Sequence, residues 1–276
     1  MSLTSQLCGI GLRFKHIDEI LQSRPNIPWM EILSDNYLIQ GSVQQEYLYE
    51  VAKGYPLSMH GVGMSLGSVD PLNTNYLKRI KALAEIINPI RISDHLCWSS
   101  AHGISTYDLI PLPYNQTTID HVVGRICRVQ DFLGRELVIE NVSSYLQYKD
   151  SAMPEWAFLS HIVEAADCGI LLDINNIYVS AQNHGFSAEE YIRSVPVERV
   201  RQFHVGGHED HGSHLLDTHG QAVQTPVWNL LGVALKQIGL VPTLVEWDNN
   251  VPELDVLLSE AEKANNILAQ NAKTFS

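Results

Sequence analysis

The chain has 276 residues, 45% of them hydrophobic, with 18 Lys and Arg against 31 Asp and Glu and a formal net charge of -13. That length can bury a large core and fits one α/β barrel or two ordinary domains, and no repeat or linker divides it. The acidity argues against a nucleic-acid or anionic-membrane partner, since both need a basic footprint.

In chain order, short apolar or β-branched runs alternate with helical periodicity. "GIGLR" at 9 to 13, "WMEIL" at 29 to 33 and "PLSMHGV" at 56 to 62 come first. Behind Asp70-Pro71, read as a cap followed by a helix-starting proline, Leu72, Tyr76, Leu77, Ile80, Leu83, Ala84 and Ile87 share one helical face. "IRISDHLCW" at 90 to 98 precedes a helix marked by Ile119, Val122, Val123, Ile126 and Leu133. "LVIENV" at 137 to 142 precedes another, marked by Trp156, Leu159, Ile162, Val163 and Ala166. "ILLDINN" at 170 to 176 is followed by a capping-box spacing from Ser187 to Glu190. "VRQFHVGG" at 200 to 207 leads to a helix opened by Thr225-Pro226, and "TLVEWD" at 243 to 248 is the last run. Eight strand and helix candidates in a chain near the ~250 residues of the fold point to a (β/α)8 TIM barrel, a single domain over residues 1–276. A doubly wound open sheet is the alternative, because both folds bury parallel strands under helices.

Cys8, Cys97, Cys127 and Cys168 are far apart and form no C-x-x-C pair, so neither a disulfide framework nor a Cys-rich zinc site is expected. The opening "MSLTSQLCGIGLRFKH" lacks a basic start and a long apolar stretch, and no window reaches ~18 uncharged apolar residues. A cytoplasmic protein, neither secreted nor membrane-spanning, is the expectation.

In a barrel the chemistry sits at the C-terminal strand ends. Those ends carry Arg13, Glu31, His60, Asp94 and His95, Glu140 and Asn141, Asp173 and Asn176, His204, and Glu246 and Asp248. Any one of them could simply cap a helix or bond loop backbone. Six strands in a row ending in His, Asp or Glu would be costly around one mouth unless paired or neutralised by a cation, and the excess of carboxylates favours the cation. Imidazole mixed with carboxylate and no thiolate suits Fe, Mn or Zn. His60, His95, Glu140, Asp173, His204 and Glu246, with Asn176, His184, Asp217 and His219 added, exceed what one ion takes. Two or three ions bridged by carboxylates, ~3.5–4 Å apart, fit better. His16, His102, His121 and His161 lack strand-end logic and are expected at the surface. In "HVGGHEDHGSHLLDTHG", His204, Asp217 and His219 rank above His211 and His214, and His208 is a candidate support behind the ligands. "HGVGMSLG" at 60 to 67 has neither a P-loop ending nor a dinucleotide spacing, and no G-x-S-x-G elbow occurs.

With "GIGLR", "MEILSDNY", "LSMHGVGMSLGS", "ISDHLCWS", "DLIPLPY", "IENVSSYL", "LLDINNIYVSAQNHGF", "FHVGGH", "DTHG" and "LVEWDNNVP" in view, the chain closely resembles the DUF692 family. These are the multinuclear non-heme iron-dependent oxidative enzymes, which include the iron enzyme of methanobactin biosynthesis. The resemblance implies a xylose-isomerase-like barrel with two or three irons per chain. As ligands it implies His60, His95, Glu140, Asp173, Asn176, His184, His204, Asp217, His219 and Glu246. It also implies O2-dependent oxidation of cysteines, or sometimes other residues, in ribosomally made precursor peptides, commonly with a separate protein that recognises the leader. Arg13, Glu31, Asp94, Asn141 and Asp248 are candidates for supporting ligands or positioning substrate on strand-end position alone. The alternatives are a zinc or manganese metallohydrolase or isomerase acting on a phosphoester or sugar, a metal-storing protein, and a barrel whose strand-end polar residues are structural.

Overall fold

The computed structural model describes residues 7–272, so the ends of the expected 1–276 domain lie outside the described residues. Eight parallel strands close into a barrel: β1 (Cys8–Gly11), β2 (Met30–Leu33), β3 (Leu57–His60), β4 (Ile92–His95), β5 (Val138–Glu140), β6 (Gly169–Asp173), β7 (Val200–Val205) and β8 (Thr243–Val245). Each pairs with its neighbours in sequence, and β8 closes on β1. The alternative of an open sheet is excluded by that closure. The outer layer comprises α1 (Phe14–Ser23), α2 (Val43–Ala52), α3 (Thr74–Ile87), α4 (Gln116–Leu133), α5 (Glu155–Ala166), α6 (Ile174–His184), α7 (Ala188–Ser194), α8 (Thr225–Ile238) and α9 (Leu254–Ala272). Two antiparallel hairpins rise above the strand ends, Trp98–Ala101 with Ile104–Ile110 and His208–Asp210 with Leu215–Asp217.

The strands are short and buried on both faces, as expected where helices cover a parallel sheet. Ile170, Leu171, Leu172 and Phe203 are fully buried, as are Ile162 and Val163 of the helix layer. The register then sets the site, because His95 lies opposite Glu140 and Asp173 opposite His204. Strand-end residues thus share one layer.

Three boundaries differ from the sequence reading. Asn73, not Asp70-Pro71, caps α3: its side chain accepts from Tyr76 N at 3.0 Å, while Asp70 accepts from Gly103 N across the loop. The expected strand 90–98 ends at His95, and Trp98 begins the first hairpin. The expected strand 170–176 ends at Asp173, whose side chain caps α6. Asn176 therefore sits in the first turn of a helix rather than on a strand, and His184 closes that helix. The Ser187 cap accepting from Glu190 N, and the helix opening at Thr225-Pro226, match the expectation.

Candidate metal centre

The barrel's interior is polar near its mouth because alternate residues point inward along each strand. Ser93 and His95 on β4 illustrate this: Ser93 Oγ lies 2.8 Å from His60 Nδ1, and His95 Nδ1 lies 3.1 Å from the Gly61 carbonyl. The carbonyl can only accept, so His95 carries its proton on Nδ1 and leaves Nε2 as a lone pair. The Nε2 atoms of His60 and His95 are 3.3 Å apart and lie 3.1 and 3.2 Å from Glu140 Oε2. Yet Glu140 Oε2 makes no hydrogen bond.

Around β6 to β8 the crowding continues. His204 Nδ1 stands 2.9 Å from Glu246 Oε2 and 3.5 Å from Glu140 Oε1. His219 Nδ1 is 3.3 Å from Glu246 Oε2 and 3.6 Å from Asp248 Oδ2, and its Nε2 is 2.9 Å from Asp217 Oδ1. Donor atoms within one ion's reach form three groups among the described residues: His60, His95 and Glu140; Glu140, Asp173, His204 and Glu246; His219, Glu246 and Asp248. Glu140 belongs to two of them, and so does Glu246.

Whether these residues fit a metal is decided by their unspent polar atoms. Buried side-chain atoms are normally hydrogen-bonded. Glu140 Oε2, Asp173 Oδ2, Asn176 Oδ1, His204 Nδ1 and His219 Nε2 are all buried without a partner. Glu140, Asp173, His204 and His219 belong to groups that a cation would satisfy, and Asn176 adjoins Asp173, so the residues fit. The charge balance agrees. Burial drives Asp173 well above the usual carboxylate range, with Glu140 and Asp217 adding to that push against His219. Burial would likewise raise Glu31, but His204 outweighs it and holds that carboxyl at about 2.

The surrounding residues hold the donors in place. Asn141 pairs through both amide atoms with the backbone of Asp173, at 2.9 and 3.1 Å. Asp173 Oδ1 caps α6 through Asn176 N at 2.6 Å, leaving Oδ2 for the centre. Arg13 pairs with Asp248 Oδ1, so Oδ2 faces His219. The His208–Asn175–Asp217 series is joined at 2.8 and 2.9 Å, which sets His208 two hydrogen bonds behind the Asp217 carboxylate. Gly206 also has a defined job: a Cβ there would lie 2.2 Å from His219 Cδ2.

Two candidates stand elsewhere. Asp94 points away from the mouth and binds the backbone N–H groups of His95 and Met64, anchoring the loop after β3 rather than facing substrate. His184 Nε2 lies 2.8 Å from Ser144 Oγ and 3.0 Å from its carbonyl, beside a separate cavity with Trp156 and Phe186, and it joins none of the three groups. Of the histidines expected at the surface, His102, His121 and His161 are exposed, but His16 is buried, with Nε2 2.8 Å from the Pro252 carbonyl. Packing of α1 under the loop before α9 accounts for it. Gln202 was missed, although its place two residues before His204 on β7 is the signal that would have found it.

The groups open into a cavity of about 300 Å³ with Leu33, Val62, Leu109, Val142 and Leu216 at its rim. Over residues 7–269 the sequence matches the family model described as RiPP precursor modification enzyme MbnB/TglH/ChrH. The chain belongs to this family. Within it, the chain is 48% identical over 266 residues to a UPF0276 protein of Acaryochloris marina, covering 96% of each. It is 46% identical to one of Anaeromyxobacter sp., covering 96% of this chain and 94% of that one. Among solved structures it is similar in fold to a xylose isomerase-like TIM barrel protein from Mycobacterium smegmatis in complex with magnesium (TM-score 0.64, 12% identity, 96% and 97% covered). A D-psicose 3-epimerase from Clostridium cellulolyticum, solved with D-tagatose, is also similar (TM-score 0.60, 14% identity, 97% and 98% covered). No helix among the described residues is long and apolar enough to cross a membrane.

Proposed function

We propose that the cluster holds two or three iron ions and that the protein uses O2 to oxidise residues, cysteine foremost, of a ribosomally made precursor peptide. The observation that carries this is the set of five orphaned, buried donor atoms converging on one mouth, in a chain whose family modifies such precursors. His60, His95 and Glu140 form one proposed group of ligands. Glu140, Asp173, His204 and Glu246, with Asn176 Oδ1 adjoining, form a second, and His219, Glu246 and Asp248, with Asp217, a third. Bound iron supplies one-electron redox chemistry and reactivity towards O2.

The chain's own residues do the rest. Glu140 and Glu246, each shared by two groups, would hold an ion in both, while Glu31 and Asn141 orient His204 and Asp173 and the Arg13–Asp248 pair fixes the carboxylate nearest the rim. The apolar rim admits a side chain and sheds water from it, and the Ser143 and Tyr145 hydroxyls can bind peptide backbone there. The four free cysteines are consistent with a reducing cytoplasm, in which substrate thiols also stay free. A leader-recognising partner protein is part of the proposal, because the cavity admits a side chain but not a whole leader. The sugar-epimerase alternative rests on a likeness at 14% identity that reaches the fold alone.

The test incubates anaerobically loaded iron protein with short Cys-bearing peptides encoded beside its gene, with and without co-encoded proteins, and weighs the peptides before and after O2. An O2-dependent mass change on a cysteine is expected. No change in any peptide, together with epimerisation of a free sugar, would overturn the reading.

A further inference from the structure

Beneath the cluster the barrel holds a buried polar chain. Gln202 stands two residues before His204 on β7, so both side chains enter the interior. At the foot of β4, Arg91 Nε donates to Gln202 Oε1 at 2.7 Å, and Gln202 Nε2 donates to Glu31 Oε2 at 2.7 Å. Glu31 Oε1 then lies 2.8 Å from His204 Nε2. Gln202 and Glu31 are fully buried, and the Arg91 guanidinium lies over the Trp29 ring, 5.0 Å from its centre.

The direction of every bond follows from Arg91. A guanidinium only donates, so the amide oxygen of Gln202 must face it and the amide nitrogen must face Glu31. An ionised carboxylate only accepts, so His204 offers it Nε2–H. Gln202 Nε2 is also 2.8 Å from His204 Nε2, but an accepting Nε2 would set its lone pair against the Glu31 carboxylate. With Nε2–H held by Glu31, Nδ1 is the nitrogen that can turn a lone pair to a cation. That is the atom left without a partner beside Glu246 and Glu140.

We propose that Arg91, Gln202 and Glu31 are positioning residues that lock His204 as an Nδ1 donor and thereby set the metal affinity of the middle group, Glu140, Asp173, His204 and Glu246. This rests on the reading of the cluster as a metal centre but not on iron, O2 or a peptide. Arg91 acts from the foot of the barrel, two side chains away from the ring it orients.

Zinc serves as the probe, titrated into the metal-free full chain against a chromophoric chelator. Loss of a group behind a ligand costs about 10- to 100-fold in metal affinity. Gln202→Leu is expected to weaken one zinc equivalent by at least about 10-fold, within that range, while the others keep their affinity. Arg91→Met weakens the same equivalent by less. In the zinc-loaded wild type, ring-nitrogen NMR shifts show His204 bound through Nδ1 and protonated on Nε2. Unchanged affinities in folded Gln202→Leu, or zinc on His204 Nε2, would overturn the proposal and leave the metal centre standing. A wild type that binds no zinc and no iron would remove the centre and the proposal together. Should circular dichroism show that Gln202→Leu fails to fold, Arg91→Met and the nitrogen shifts decide.

Discussion

Glu140 is the residue on which most depends, since its two oxygens face different groups of ligands. Glu140→Ala is therefore expected to lose more than one metal per chain, whereas His60→Ala loses at most one, as read by elemental analysis of protein purified without oxygen. Equal losses would mean that Glu140 does not bridge. Asp173→Ala should lower metal content and not merely turnover; an unchanged metal load would remove Asp173 from the ligands. His184→Ala should leave metal content unchanged, because its Nε2 is already engaged by Ser144. The contrast shows what could be read in advance. His60, His95, Glu140, Asp173, His204 and Glu246 were legible because each ends an apolar run and barrel strands end level with one another. His184 was not, because a helix reading of 174 to 184 turns its side chain towards the loop after β5, a direction strand logic cannot supply.

Among the elements, the end of β7 and the start of α5 make separate demands. Gly206 leaves room for the His219 ring, which itself has a positive φ of 42°. Gly206→Ala should displace that ring and cost metal at the third group with little change in far-UV circular dichroism. Retained metal would show that the loop adapts. At the head of α5, Glu155 is buried, and this raises its carboxyl to about 7 against the hydrogen bonds from Tyr191 and Tyr114. The folded protein holds this proton more tightly than the unfolded chain does. Stability from this group is thus full below about 4.5 and falls as pH rises towards about 7. Glu155→Gln should flatten that fall, gaining on the order of 3 kcal/mol at pH 8 relative to wild type. Parallel melting curves of the two proteins from pH 5 to 8 would contradict it. Neither demand was readable beforehand: Gly206 matters through His219, thirteen residues downstream, and Glu155 through Tyr114 in the loop before α4 and Tyr191 of α7.

For the whole molecule, alternation of strand and helix gave the barrel, while the two hairpins escaped because they interrupt rather than follow the pattern. They matter to function, since one brings Asp217 to the cluster and the other brings Leu109 to the rim. Under the proposed reading, a centre this crowded with carboxylates also ties folding to metal. Removing the metal leaves buried donors unpaired, so the melting temperature should drop by several degrees and recover with added ferrous iron under argon, to an extent set by iron concentration. No shift would mean that the cluster is stable without a cation. The most direct measurement counts the metals: elemental analysis with Mössbauer spectroscopy of chain isolated from iron-supplemented cells without oxygen. Two or three irons per chain, with a spectrum that changes on exposure to O2, is the expected result. One iron or none, or stoichiometric zinc indifferent to O2, would contradict the proposed centre.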